Sequence, residues 1–185
     1  SFGYSGVVDA GTDASSLYLD WLTRVYSTNT TYLVALGNGG HGYGTVASPG
    51  GSPGIISVGA ASSRGSGNTH SWGEIASWTD RGPNSQGRMD PDIVAVGWSA
   101  TGDLTLNEVT DANSATTSWS GTSLATPVAA GLMALVHQAY FEEYGEMPDS
   151  QVVRDLVMST SMDLGYDPNT QGAGWFDAGR AVQAI

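Results

Sequence analysis

Ser120-Gly121-Thr122-Ser123-Leu124-Ala125-Thr126-Pro127-Val128-Ala129-Ala130-Gly131 is the stretch that decides the fold. It reads as a loop that becomes a helix near Ser123, and the helix runs on, rich in Ala and Leu, to about Tyr144. A serine at such a junction has two useful properties. Its backbone N–H is among the unpaired donors of the helix start, and the aligned peptide dipoles put partial positive charge there. A serine that attacks a carbonyl needs both, because negative charge develops on the carbonyl oxygen beside it. Gly121 lets the chain turn tightly without a Cβ in the way. Pro127 is expected within the first turns, where a missing N–H costs least. The small residues at 125, 129, 130 and 131 allow the helix to pack close against a sheet.

Outward from this stretch, helix and strand signals alternate. Residues 32–36 (YLVAL), 55–61 (IISVGAA) and 93–96 are almost wholly apolar, as in strands buried on both faces. Asp13 is placed to cap a helix over about 15–26, with Tyr18, Trp21, Leu22 and Val25 on one face. Asp149 or Ser150 caps another helix that carries Val152, Val153, Leu156 and Val157, and a short last helix follows Asp177. This alternation predicts an α/β fold with a largely parallel sheet, whose sites form in loops at the carboxyl ends of strands. Asn38 stands just past such an end. A side-chain amide donates a hydrogen bond without being charged, so it can stabilise an oxyanion at any working pH.

Composition narrows the function. A chain of 185 residues makes one domain with a real core. Six Lys+Arg face 18 Asp+Glu, a net charge of -12. That balance excludes a nucleic-acid binder and argues against docking on anionic membranes. Self-repulsion strains the compact state, and bound calcium is the obvious ion to relieve it as a structural cofactor. The absence of cysteine excludes disulfides, thiolate metal sites and cysteine catalysis. No run of 18 apolar residues exists, so no membrane span is expected. No signal-peptide pattern is found, and the chain opens Ser1-Phe2-Gly3 without Met, as if cut from something longer. Asn29-Thr30-Thr31 is a glycosylation sequon.

The string from Gly121 to Gly131 resembles the nucleophile signature of the subtilases, the subtilisin-like serine proteases. Residues 33–40 resemble the family's oxyanion loop, and Ser1-Phe2-Gly3 its Ser-x-Gly strand, which pairs with extended substrate. Arg81-Gly82-Pro83 and Asp90-Pro91-Asp92-Ile93-Val94-Ala95 resemble its RGP and PDI-xAPG stretch, with Val96 where Pro is usual. Gly172-Ala173-Gly174, Asp177 and Ala181 resemble the ending of the catalytic domain. The resemblance implies a three-layer α/β/α fold and a serine endopeptidase that works through an acyl-enzyme. Ser123 would be the nucleophile and Asn38 the oxyanion donor. Ser1, Phe2, Gly3, Ala35, Leu36 and Gly37 would line the path of a polypeptide substrate. The chemistry would need no cofactor, and the location would be extracellular or at the cell surface. Leu36 departs from the small residue usual in the family. It either narrows the first specificity pocket or points into the core, and strand alternation leaves both open.

A serine nucleophile needs a base, and the base needs an orienting carboxylate. In subtilases the chain order is Asp, His, Ser, so both partners should precede Ser123, in a D-x-G turn and an H-G-T-type helix start. No H-G-T pattern occurs, and the D-x-G tripeptides before Ser123 are Asp9-Ala10-Gly11 and Asp80-Arg81-Gly82. His137 lies 14 residues along the same helix from Ser123, roughly 20 Å away at the helical rise. His70 has no helix start after it, and His41, beside the Asn38 loop, has the wrong context for the family. Residues 1–185 are therefore expected to be the C-terminal portion of one peptidase domain. An N-terminal segment of the same protease would supply Asp and His. A competing reading is a protease-derived structural protein, such as a surface-layer or filament component, that keeps the fold without activity. Another is the sedolisin relatives, which carry Asp at the oxyanion position and a Glu base. Asn38 argues against them.

Overall fold

Three apolar strands make the centre of the molecule in a computed structural model that describes residues 11–40, 42–63, 71–103 and 116–185. They are β1 (Leu33–Ala35), β2 (Ile56–Ser62) and β3 (Ile93–Trp98), all parallel, in the order β1-β2-β3. Leu33 stands opposite Ile56, and Val58 opposite Ile93. Every residue of β2 is buried, as an apolar run without alternation requires. Ile56, Val58 and Ala60 face one side, where they meet Ile93 and Ala95 of β3. Val34 and Ile55 meet Leu19 on the other.

The helices cover both faces. On one lies α1 (Ala14–Trp21), which carries Leu19 and continues into a π-helical turn, Leu22–Tyr26. Its start is as expected: Asp13 Oδ1 accepts from the N–H groups of Ser15 and Ser16, at 3.0 and 3.2 Å. Its inward face is not the aromatic one. Ser16, Leu19 and Thr23 are buried, while Tyr18, Trp21 and Val25 are exposed. The small polar face lets a loop approach: Gly54 packs so close to Thr23 that no Cβ would fit. The Thr23 hydroxyl is satisfied by the carbonyls of Leu19 and Asp20. The rings of Tyr18, Trp21 and Tyr26 stack on one another outside, with centroids 6.0 and 5.2 Å apart.

The opposite face carries α2 (Thr122–Tyr144), which packs on all three strands. Ala125, Ala129, Met133 and Val136 form its buried stripe. Gly145, at φ 74, ends it by donating to the Phe141 carbonyl. By length and composition alone α2 could cross a bilayer, although no unbroken apolar run of that length exists; its buried stripe marks it as the core helix. Pro127 is the sixth residue of α2, within its first two turns, and it has no N–H to offer the Ser123 carbonyl. Beside α2 lie α3 (Ser150–Thr160), capped by Asp149, and α5 (Ala178–Gln183), capped by Asp177. Val153 and Val157 of α3 and Ala181 of α5 join the same core. A short α4 (Pro168–Gln171) and an antiparallel pair, β4 (Ala100–Asp103) with β5 (Thr116–Trp119), complete the described residues. The layers are α/β/α around a parallel sheet.

The amino end of β3 is pinned by charge. Asp92 Oδ1 accepts from Arg154 at 2.5 Å, and its Oδ2 accepts from the Ser57 N–H at 2.9 Å. Arg88 holds the buried Asp90 at 3.0 Å. Pairing of this kind offsets the cost of burying charge. The Asn29 amide is also engaged, donating to the Met147 and Pro148 carbonyls at 2.9 and 3.3 Å.

Gly97 of β3 is where α2 comes closest. A Cβ there would lie 2.7 Å from the Ala60 Cβ, 2.8 Å from the Gly121 carbonyl and 2.9 Å from the Ala125 Cβ. None of these atoms can swing aside. In the complete protein, Gly97→Ala is expected to cost about 1–3 kcal/mol in urea unfolding, and an unchanged midpoint would show that the helix has room to retreat.

Candidate active site

The strand β1 ends at Ala35, and the chain turns at its carboxyl end. The Leu36 N–H bonds to the Val58 carbonyl at 3.1 Å, and the Leu36 side chain is fully buried. Gly37 follows at φ +121, a conformation that favours glycine, and the Asp80 carboxylate occupies the place of its missing Cβ. Asn38 is exposed at the tip.

Asn38 is tied to the first turn of α2. Its Oδ1 accepts from the Thr122 N–H at 2.8 Å and from the Thr122 hydroxyl at 2.9 Å. That hydroxyl in turn accepts from the Gly37 N–H at 3.2 Å. A backbone N–H demands an acceptor, so the amide oxygen faces Thr122 and Nδ2 points elsewhere, where among the described residues it has no acceptor. The helix start is accounted for donor by donor. Thr122 N–H goes to Asn38, and those of Leu124 and Ala125 go to the Gly121 carbonyl at 3.0 and 3.2 Å. Among the described residues the Ser123 N–H has no acceptor. A Cβ built on Gly121, at φ +152, would lie 3.7 Å from Asn38 Nδ2 and 3.7 Å from Ser123 N. Two unused donors thus border one space above a glycine. The exposed Ser123 starts the helix beside it, its hydroxyl unpartnered among the described residues.

Beneath the loop sits Asp80, only 2% exposed. Its N–H bonds to the Gly37 carbonyl at 3.0 Å, and its Oδ1 accepts from the Gly39 N–H at 2.7 Å. Burial pushes the carboxyl up to about 6, against the pull of the Gly39 N–H and the Thr45 hydroxyl. Sequence reasoning missed this residue. An acid directly before Arg81-Gly82-Pro83 was visible, but its distance in sequence from Asn38 hid the contact.

Other expected residues lie apart from this site. Ser1, Phe2, Gly3, His41 and His70 fall outside the described residues. His137 Nε2 lies 2.9 Å from the Thr31 hydroxyl, and burial holds its pKa below the usual histidine range. Among the described residues no three His, Cys, Asp or Glu side chains converge as metal ligands, so they offer no carboxylate cage for calcium.

A serine at a helix start thus stands beside a pinned amide at the carboxyl end of a parallel sheet in an α/β fold. A sequence model described as the subtilase family matches residues 1–175, and the chain belongs to that family. It is 33% identical to serine protease AprX of Bacillus subtilis (strain 168) over 168 residues, covering 86% of this chain and 36% of that protein. It is 30% identical over 186 residues to pyrolysin of Pyrococcus furiosus, covering 86% of this chain and 12% of the relative. The fold is shared with the solved structure of the prenylagaramide maturation protease PagA, with a TM-score of 0.71 at 23% identity, over 98% of this chain and 58% of that one. The chain thus spans well under two thirds of each.

Two outcomes follow from this geometry in the complete protein. Thr122→Val keeps the volume but removes the hydroxyl that links Gly37 to Asn38, in a residue 1% exposed. It is expected to cost about 1–3 kcal/mol on chemical denaturation. Asp80 binds its proton more tightly folded than unfolded, so the stability it lends is full below its ordinary pKa of 3.8 and is lost as pH rises through about 6. Asp80→Asn cannot ionise, so its Tm should rise relative to the parent between pH 4 and 7, by an amount equivalent to about 3 kcal/mol at most. A constant Tm difference across that range would show that Asp80 titrates normally.

Proposed function

We propose that this chain supplies the nucleophile and the oxyanion hole of a serine endopeptidase. The observation that carries the reading is the pair of unused donors, Asn38 Nδ2 and Ser123 N–H, bordering the space above Gly121 next to an exposed serine hydroxyl. Membership of the subtilase family supports it.

In this reading Ser123 Oγ attacks the carbonyl carbon of a peptide bond while a histidine takes its proton. The carbonyl oxygen gains negative charge and swings into the space between the two donors, which are already aimed and need no reorganisation. Collapse of the tetrahedral intermediate breaks the C–N bond, and the histidine gives its proton to the leaving amine. Water then releases the acyl group by the same route. In this reading the histidine and its orienting aspartate come from outside these 185 residues, since no H-G-T pattern occurs among them and His137 is engaged with Thr31 far along α2. The substrate is an extended polypeptide that runs past Ala35, Leu36 and Gly37, and the family resemblance assigns Ser1, Phe2 and Gly3 to the same binding role. The setting is extracellular or the cell surface.

A fluorophosphonate probe tests this directly. In the complete protein it is expected to label Ser123 alone, leaving Ser118 and Ser120 untouched, and Ser123→Ala should abolish both labelling and peptide hydrolysis. Asn38→Ala should lower kcat about 10²–10³-fold with little change in KM, the loss seen when one such donor is removed from a subtilisin. Folded protein that neither labels nor hydrolyses peptides would leave only the fold, as in a structural descendant of a protease.

A further inference from the structure

We propose that Asp80 is a positioning residue for Asn38, acting through the backbone of residues 37–40 and not by touching substrate. The inference rests on the reading of Asn38 as an oxyanion donor.

Thr122 fixes the oxygen end of the Asn38 amide, but the direction of Nδ2 also depends on the backbone that carries it. That backbone is Gly37-Asn38-Gly39-Gly40, and glycines give a loop its greatest freedom. Asp80 removes this freedom on both sides of Asn38. Its N–H holds the Gly37 carbonyl at 3.0 Å, and its Oδ1 holds the Gly39 N–H at 2.7 Å. One residue therefore clamps the peptide before Asn38 and the peptide after it. The other carboxylate oxygen fills the space beside the Gly37 Cα, so the loop cannot sink toward the core. Gly40 closes the turn by donating to the Trp78 carbonyl at 3.1 Å.

The cost of this arrangement points to function. The carboxylate is 2% exposed, and among the described residues no cation lies within ion-pair distance of it. Burying an acid without a counter-charge is unfavourable, and a neutral side chain would fill the volume more cheaply. What a carboxylate offers is a short, strong acceptor for one backbone N–H at one fixed place. Oxyanion donors must be held within about 0.5 Å of the productive geometry, and a displacement of about 1 Å costs on the order of a hundredfold in rate.

The test is a double-mutant cycle in the complete protein, with kcat and KM measured for peptide hydrolysis and competent sites counted by fluorophosphonate titration. Asp80→Ala is expected to lower kcat about ten- to a hundredfold with KM within about twofold. Asp80→Asn, which still offers an acceptor to the Gly39 N–H, should recover most of that loss. In the Asn38→Ala background the Asp80→Ala change should cost less than about threefold, because the donor it aims is already gone. A purely structural role would cost the same in both backgrounds, and that result overturns the proposal. So does a normal kcat for Asp80→Ala, or a loss carried by KM. If Asn38→Ala itself leaves kcat unchanged, the oxyanion reading falls and this inference with it. If Asn38→Ala costs its full factor and Asp80→Ala costs nothing, only the inference falls. Should Asp80→Ala fail to fold, Asp80→Ser carries the same cycle.

Discussion

A glycine carbonyl in β3 and an asparagine side chain beyond β1 hold the first turn of α2 between them. Gly97 accepts from the Gly121 N–H at 2.8 Å, and Asn38 accepts from the Thr122 N–H at the same length. Each bond contributes only about 1 kcal/mol net. Their importance is geometric. The contact exists because glycine occupies 97, so that helix and strand approach without an intervening Cβ. Move the helix out by the width of a methyl group, and the Ser123 N–H no longer shares a space with Asn38 Nδ2. In the proposed function these donors, at the ends of packed elements, would hold their aim before substrate arrives, which is the condition for electrostatic stabilisation of a developing charge.

Much of this frame was readable from residues alone, and the reasons are specific. Residues 32–36, 55–61 and 93–96 are apolar without alternation because both faces of the sheet are covered, and they became β1, β2 and β3. Asp13, Asp149 and Asp177 each cap the helix expected after them. The inward face of α1 was not readable. Its aromatic stripe marks the outside, because the inside had to be small enough for the Gly54 loop. The hairpin of β4 and β5 gave no signal, being short and mixed in polarity. At the site, Asn38 and Ser123 announced themselves by local context. Asp80 did not, since its partner Gly39 lies 41 positions away and only the fold brings them together.

The family frame and the local physics support each other without being the same argument. An Ala-rich helix could pack on this sheet with any small residue at 123. Nothing in the core asks for a hydroxyl and an N–H that are unpartnered among the described residues, beside an outward amide in one place. These three features are surplus to folding and are what the proposed chemistry would require.

The buried pairs at the amino end of β3 have a consequence for the surface. All six basic residues of the chain are arginines, against 18 acids. Arg88 and Arg154 are drawn inward to Asp90 and Asp92, and Arg24 is matched to Asp20 at 2.7 Å. The exterior is left with few cations among many carboxylates. Dissolved salt then acts mainly in one direction. At 0.1 M it shortens the reach of charge repulsion to about 10 Å, while partly buried pairs such as these are screened less. Ionic strength therefore eases the strain on the compact state more than it loosens the partly buried attractions that hold β3, and the folded chain should tolerate brine better than dilute buffer.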